Sequence, residues 1–307
     1  MVAIGLVKSE SYVMYRIVEA RNVGLNIKQF VVEAPRIARK QRPGQFLILR
    51  LHEKGERIPL TIKCSDPDAG TVTIVVQAIG KTTSLLCCLE AGDSILDIVG
   101  PLGQPSEIES YGTCVILAGS VGTAMALPTA NALKRAGNHV IFIEGARNTD
   151  LVVFEDEVRQ ASTETYFMTD DGSYGEHGLV TKKLKDLLDA GLRIDFVLAV
   201  GPVPMMRAVT QITTALGIKT KVSLNSIMID GTGMCGGCRV LLGNQSKFAC
   251  VDGPEFDASL VNFEVLMQRN AMYRDKECQS LKQFEEHKQG ELAQLRADLA
   301  SQDAHHA

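Results

Sequence analysis

The chain is 307 residues long, 45% hydrophobic and 22% charged, with a formal net charge of -4. That length fits about two or three domains, and the balance is that of a soluble globular protein. A mildly acidic chain without a basic block argues against a nucleic-acid partner, and no apolar run is long enough to span a bilayer.

Residues 1–20 carry acids early and no long apolar stretch, so they read as strand rather than as a secretory signal, and the protein as cytoplasmic. A strand is predicted over 13–20. A second extended stretch follows, with Leu25, Ile27, Phe30, Val32 and Ala34 apolar. Pro43-Gly44 is a turn before a strand over 45–51. A polar loop over 52–56 leads to extended chain over 57–62, and Thr71–Gln77 is a β-branched run. Gly80-Lys81-Thr82-Thr83-Ser84 opens a short helix predicted over 85–90. A last strand, over 93–99, closes at Gly100-Pro101-Leu102-Gly103. Many short strands with one helix predict a closed antiparallel barrel over 1–105.

Two stretches of this region carry chemistry. A strand end entering a helix leaves free N–H groups. With the Thr82 and Thr83 hydroxyls and the Lys81 ammonium they make an anion site suited to a pyrophosphate, although capping is the commoner use of such hydroxyls. Arg57-x-Pro59-x-Thr61 sets a cation and a hydroxyl on extended backbone, where they hold a flavin or phosphate or simply face solvent.

Over 106–224 strands alternate with helices, which predicts a doubly wound parallel sheet. Ligands of such sheets bind beyond the carboxyl ends of the strands. The candidate loops hold Gly119, Val121, Gly122 and Thr123; Glu144 and Arg147; Asp170 and Asp171; and Gly201, Pro202 and Met205. Glu144 ends a strand where an acid can bond a ribose 2′-hydroxyl, which leans towards NAD, while Arg147 nearby suits a 2′-phosphate. Each loop taken alone is also plain turn chemistry.

In a third region, 225–275, Asp230-Gly-Thr-Gly-Met-Cys235-Gly-Gly-Cys238 is answered by Cys250. A C-x2-C step lets two sulfurs converge on one centre, and the glycines let backbone approach it closely. The set reads as an iron–sulfur site, with a structural zinc knuckle or unrelated buried thiols as alternatives. The remaining cysteines, Cys64, Cys87, Cys88, Cys114 and Cys278, read as ordinary buried or partly buried thiols. Residues from Asn262 onward read as helical. The tail over 276–307, with Leu292, Leu295 and Leu299 on one stripe, is expected to dock a partner, face solvent or fray.

Taken together these motifs resemble a known family. Pro-Gly-Gln-Phe, Arg-x-Pro-x-Thr, Gly-Lys-Thr-Thr and Gly-Pro-Leu-Gly, in that order, resemble the flavin barrel of the ferredoxin-reductase-like superfamily, with Leu60 in place of the usual aromatic. Gly201-Pro202-Val203-Pro204-Met205-Met206 resembles its NAD(P) lobe, although Ala118, Ser120 and Met125 depart from the usual Gly-rich turn. With the Cys-rich module third, residues 1 to about 275 resemble the electron-transfer subunits of dihydroorotate dehydrogenase and their relatives. Asp230 stands at the first cysteine of their C-x4-C-x2-C-x11-C pattern. That exchange resembles the small subunits of NADH-dependent reduced ferredoxin:NADP+ oxidoreductase, also known as sulfide dehydrogenase, in which an aspartate is the fourth ligand.

The resemblance implies FAD along Arg57, Pro59, Leu60 and Thr61, with its pyrophosphate near Val76, Gln77, Ala78, Gly80, Lys81, Thr82 and Thr83. It implies NAD(H) at the lobe loops and a 2Fe-2S cluster on Asp230, Cys235, Cys238 and Cys250. It further implies a larger flavin and iron–sulfur partner subunit that binds NADP and is glutamate-synthase-small-subunit-like, with ferredoxin served through an electron-bifurcating complex. Hydride transfer to a flavin needs no side-chain acid or base, so no catalytic residue is assigned. The rival from another class is a non-redox zinc- and nucleotide-binding scaffold.

Overall fold

The computed structural model describes residues 14–304, so the strand expected before Met14 lies outside the described residues. The first unit comprises β1 (Tyr15–Gly24), β2 (Ile27–Glu33), α1 (Pro35–Ala38), β3 (Phe46–Arg50), β4 (Ile58–Asp66), β5 (Thr71–Gln77), α2 (Lys81–Leu86), β6 (Ser94–Ile95) and β7 (Asp97–Leu102). Its strands lie in the order β6-β1-β2-β5-β4-β3-β7, all antiparallel. The two outer strands come from one stretch of chain. Ile95 pairs with Tyr15 on one side, and Asp97 pairs with Arg50 on the other. A ladder that starts and finishes on adjoining residues is a closed barrel, and buried Leu96 marks the switch. The alternation of Phe30 and Val32, Leu47 and Leu49, and Val72, Ile74 and Val76 fills its interior. Helix α2 starts earlier than expected because Thr83 Oγ1 accepts the N–H groups of Ile79 and Gly80 and so caps the turn.

The second unit runs β8 (Thr113–Gly119), α3 (Gly122–Arg135), β9 (His139–Ala146), α4 (Glu155–Ala161), β10 (Glu164–Thr169), β11 (Glu176–His177), α5 (Val180–Asp189), β12 (Phe196–Val200), α6 (Val203–Ala215) and β13 (Lys219–Ser223). Its parallel strands follow the order β11-β10-β9-β8-β12-β13. The chain winds outward from β8 to β11 and then returns to the far side of β8. The switch point therefore lies between β8 and β12, where such sheets take their ligands. Helices α3 and α4 cover one face, α5 and α6 the other.

The remainder comprises β14 (Arg239–Leu242), β15 (Gln245–Phe248), α7 (Ala249–Asp252), β16 (Glu255–Asp257), α8 (Phe263–Asn270) and α9 (Arg274–Ala304). Strands β14 and β15 form an antiparallel hairpin, and Cys250 lies on α7, which follows directly. Beyond Cys250 the chain adds β16 as an antiparallel edge to β13, Val222 opposite Phe256. Cys238, Val240, Cys250 and Phe256 join the core of the lobe.

Helix α9 also corrects the expectation for the tail. Phe284, Leu295 and Leu299 are buried in the barrel's core, with Leu281 and Leu292 beside them. The apolar stripe is covered by this chain's own barrel. Among the described residues no helix is long and apolar enough to cross a membrane. All eight cysteines are free, but Cys64 and Cys278 are exposed rather than buried. Cys64 lies on the outward side of β4, and Cys278 on the solvent side of α9.

Candidate functional site

Strand pairing gathers the barrel residues at one end. Because β4 and β5 are antiparallel, with Ile62 opposite Ile74, the start of β4 lies beside the end of β5. Arg57, Pro59, Leu60 and Thr61 therefore neighbour Val76, Gln77, Ala78 and the α2 turn. Leu60 and Val76 are buried, Pro59, Thr61, Gln77 and Ala78 half-buried, and Arg57 exposed. The donors of the turn already hold carboxylates. Lys81 Nζ meets Glu291 of α9 at 2.9 Å, and Thr82 Oγ1 donates to Glu56 Oε2 at 2.5 Å. A cation and a hydroxyl beside a helix start are fit for an oxyanion, and here they bind two. Glu56 and Glu291 escaped sequence reasoning because neither sits in a motif and Glu291 is 210 residues from Lys81.

At the switch point the turns after β8 and β12 touch. A Cβ on Gly119 would stand 3.0 Å from Pro202 Cδ and 3.3 Å from Met205 Sδ, and one on Gly122 2.6 Å from the Val200 carbonyl oxygen. Only glycine admits this approach. Ser120 takes φ 49, the left-handed conformation that glycine serves in other such turns. Arg147, Asp170 and Asp171 are exposed at the same edge, and the N–H groups of the two aspartates donate to the Ala146 and Arg147 carbonyls. Hydrogen bonds from Ser173 hold the Asp171 carboxyl below its ordinary pKa.

Glu144 is not at that edge. It is wholly buried on the α3 side of β9, its Oε1 accepting the Val153 N–H at 2.9 Å. A carboxyl so placed does not reach a ribose at the open rim. Burial pushes its pKa up to about 8. The strand β9 continues to Ala146, so Glu144 lies within it rather than at its end, and the segment after β9 folds back over the side chain, which no local signal shows.

The Cys-rich loop lies against the barrel. Gly231, at φ 78, brings its backbone so close that a Cβ would stand 2.7 Å from Leu102 Cδ1 and 2.9 Å from Ile48 Cδ1. Ile48 on β3 is the direct partner of Pro59 on β4. Asp230 Oδ1 accepts the Thr232 N–H, and Oδ2 accepts the Cys235 N–H at 3.0 Å and the Thr232 hydroxyl. These bonds, that from the Thr232 N–H first, hold its carboxyl below its ordinary pKa. Three of its roughly four lone-pair sites are thus used. The Gly237 N–H points at Cys235 Sγ and the Cys250 N–H at Cys238 Sγ, each at 3.4 Å. Burial, then the Cys238 side chain, pushes the Cys250 thiol up to about 12, and the Asp230 charge acts on it too.

The four side chains stand as two neighbouring pairs, Asp230 with Cys235 and Cys238 with Cys250. Among the described residues no three such groups surround one point as ligands of a single ion do. Three thiols and a carboxylate in one short span of chain, with N–H groups aimed at two of the sulfurs, are a donor set that suits an iron–sulfur cluster. Arg269 of α8, unnoticed in the sequence, clamps the loop by donating to the Gly236 and Gly237 carbonyls at 3.5 and 3.0 Å.

Along most of its length the chain is similar to known proteins. Residues 225–262 match the iron–sulfur cluster binding domain of dihydroorotate dehydrogenase B. A dihydroorotate dehydrogenase B (NAD(+)) electron transfer subunit homolog of Thermotoga maritima is 46% identical over 268 residues, covering 87% of this chain and 94% of its own. The dihydroorotate dehydrogenase B (NAD(+)) electron transfer subunit of Fusobacterium nucleatum is 32% identical over 231 residues, covering 72% of this chain and 87% of its own. A chain of the NADH-dependent reduced ferredoxin-NADP oxidoreductase, solved in a study of flavin-based electron bifurcation, superposes with a TM-score of 0.84. It is 43% identical and covers 89% of this chain and 98% of that one.

Proposed function

The chain belongs to the family of dihydroorotate dehydrogenase B electron-transfer subunits, and from that premise we propose that it relays electrons between NAD(H), FAD and a 2Fe-2S cluster to a larger flavoprotein subunit in the cytoplasm. Bound FAD would supply the conversion between two-electron hydride chemistry and one-electron transfer, and the cluster the one-electron exit. Arg57, Pro59, Leu60, Thr61 and the turn over 76–83 would seat the flavin, with Lys81 and Thr82 exchanging their carboxylates for its diphosphate. Gly119–Thr123, Arg147, Asp170, Asp171 and Gly201–Met205 would seat the dinucleotide. Asp230, Cys235, Cys238 and Cys250 would hold the cluster.

The observation that carries this reading is the seat of the cluster loop. Gly231 rests on Ile48, and Ile48 is one strand from Pro59, so the metal loop and the flavin strand are neighbours. Asp230 favours the electron-bifurcating branch, with an NADP-binding partner and ferredoxin as the further reactant, over the dihydroorotate dehydrogenase branch. A carboxylate is a harder ligand than a thiolate and alters the cluster's potential.

The test is spectroscopic. The protein purified without oxygen is expected to be brown, to show flavin absorption and to bleach with NADH. A colourless zinc-containing protein would sink the reading. Asp230→Ala is expected to change the cluster's paramagnetic resonance spectrum and potential. An unchanged spectrum removes Asp230 from the ligand set. Co-purification identifies the partner, and a dihydroorotate dehydrogenase catalytic chain in its place would select the other branch.

A further inference from the structure

Among the described residues Ser120 Oγ, Thr123 Oγ1 and Glu144 Oε2 are buried without a hydrogen bond of full geometry, yet the Thr123 hydroxyl lies close enough to Glu144 to act on its carboxyl. Thr123 and Glu144 are both 0% exposed. Glu144 sits on β9 directly beside Ala118 of β8, the residue that leads into the turn. The Ser120 N–H donates to the Gly145 carbonyl at 2.8 Å, so the turn is tied to the backbone next to Glu144 as well.

The other oxygen of Glu144 accepts the Val153 N–H. Val153 belongs to the segment between β9 and α4, and that segment is the seam with the barrel. Val153 packs with Ile27 and Val75 of the barrel and Ala124 of α3. The Leu25 N–H donates to the Asp150 carbonyl at 3.3 Å, and a Cβ on Gly24 would stand 2.9 Å from Val153 Cγ1. Lys63 of β4 reaches across to Glu157 and lies 3.7 Å from the centre of the Phe154 ring. One carboxyl thus touches both the turn that would carry the dinucleotide and the segment seated on the flavin barrel.

We propose that Glu144 is a positioning residue, a latch whose buried carboxyl couples the Ser120–Thr123 turn to the Val153 segment and so sets the dinucleotide's seat relative to the flavin. This rests on the lobe binding NAD(H) as read above. Burial disfavours the charged form: a carboxylate would rest only on the Val153 N–H and the Thr123 hydroxyl, whereas a carboxylic acid turns one oxygen into a donor for which Thr123 Oγ1 is an acceptor. Burial favours this form, and the charge of Glu155 at the start of α4 adds to it. The Val153 N–H and the Thr123 hydroxyl pull the other way by less. The folded group then holds its proton to about pH 8, whereas its ordinary value is 4.5. The latch therefore holds below about pH 8 and loosens as pH rises through it.

The experiment compares the full chain with Glu144→Gln and Glu144→Leu. Two readouts are used: amide hydrogen exchange, and the NADH KM of flavin reduction in the FAD-loaded protein. Gln keeps an acceptor for Val153 and a donor for Thr123 but does not ionise. It is expected to keep the protection of Val153 and of the 120–124 turn and to hold it from pH 7 to 9. The native protein is expected to lose that protection, and to raise its NADH KM, as pH passes about 8. Loss of one buried hydrogen bond in the Leu variant is expected to lower protection at Val153 about tenfold and raise KM similarly, with kcat little changed. Identical pH responses of the native and Gln proteins, or native protection in the Leu variant, would overturn the latch. If the Leu variant does not fold, the comparison with Gln decides alone. If NADH fails to reduce the native flavin, the functional reading fails, while the exchange data still judge the latch.

Discussion

Phe284→Ala tests what holds α9 on the barrel. Phe284 is 1% exposed, and with Leu295 and Leu299 it carries the helix's fully buried apolar surface. Three such side chains contribute about 1.5–3 kcal/mol each on burial, so docking gains roughly 5–9 kcal/mol before the helix's ordering entropy is subtracted. The ion pairs at the same seam, Lys81–Glu291 and Arg296–Asp93, are a fifth to a half exposed and add at most about 1 kcal/mol each. Removing a buried phenyl ring loses about 3–5 kcal/mol, which is a third or more of the apolar gain. Undocking caps that loss, since the helix can leave while the closed barrel stays. Hydrogen exchange should therefore show α9 amides losing protection by about two to three powers of ten, while β2 and β5 keep theirs. Unchanged exchange in α9, or equal loss in the barrel strands, would refute the reasoning.

Two further outcomes follow from the same contacts. Glu291→Gln should leave stability within about 1 kcal/mol of native. It should also tighten FAD binding severalfold, because Lys81 would no longer be paired, and fluorescence titration of the flavin-free protein that shows weaker binding would count against that assignment. Gly231→Ala places a Cβ against Leu102 and Ile48 at a φ of 78. It should destabilise the loop by about 1–3 kcal/mol and lower iron content per chain, measured after anaerobic purification. Full native iron loading would show that the close seat is not needed.

Much of the site was legible as residues and little of it as facing. Cys235, Cys238 and Cys250 announce a metal loop because C-x2-C spacing and positive-φ glycines are local properties. Thr71–Gln77 reads as strand to its ends because β-branched residues mark it without help from neighbours. Glu144 shows the limit. Its place near the end of β9 is local, but whether it faces a ribose or the inside depends on the chain folding back at Val153.

By itself the sequence determined the order of barrel, doubly wound lobe and Cys-rich loop, and the type of most elements. Hydrophobic period, turn residues and motif spacing act over a few residues and are written in the chain. Only the tertiary structure decided the rest: closure of the barrel through Ser94–Leu102, the edge strand β16 on the lobe, α9 against the barrel and Glu291 on Lys81. Each of these brings together surfaces from parts of the chain that carry no mark of one another. Burial of apolar area, which is non-directional, selects such partners only once the elements exist.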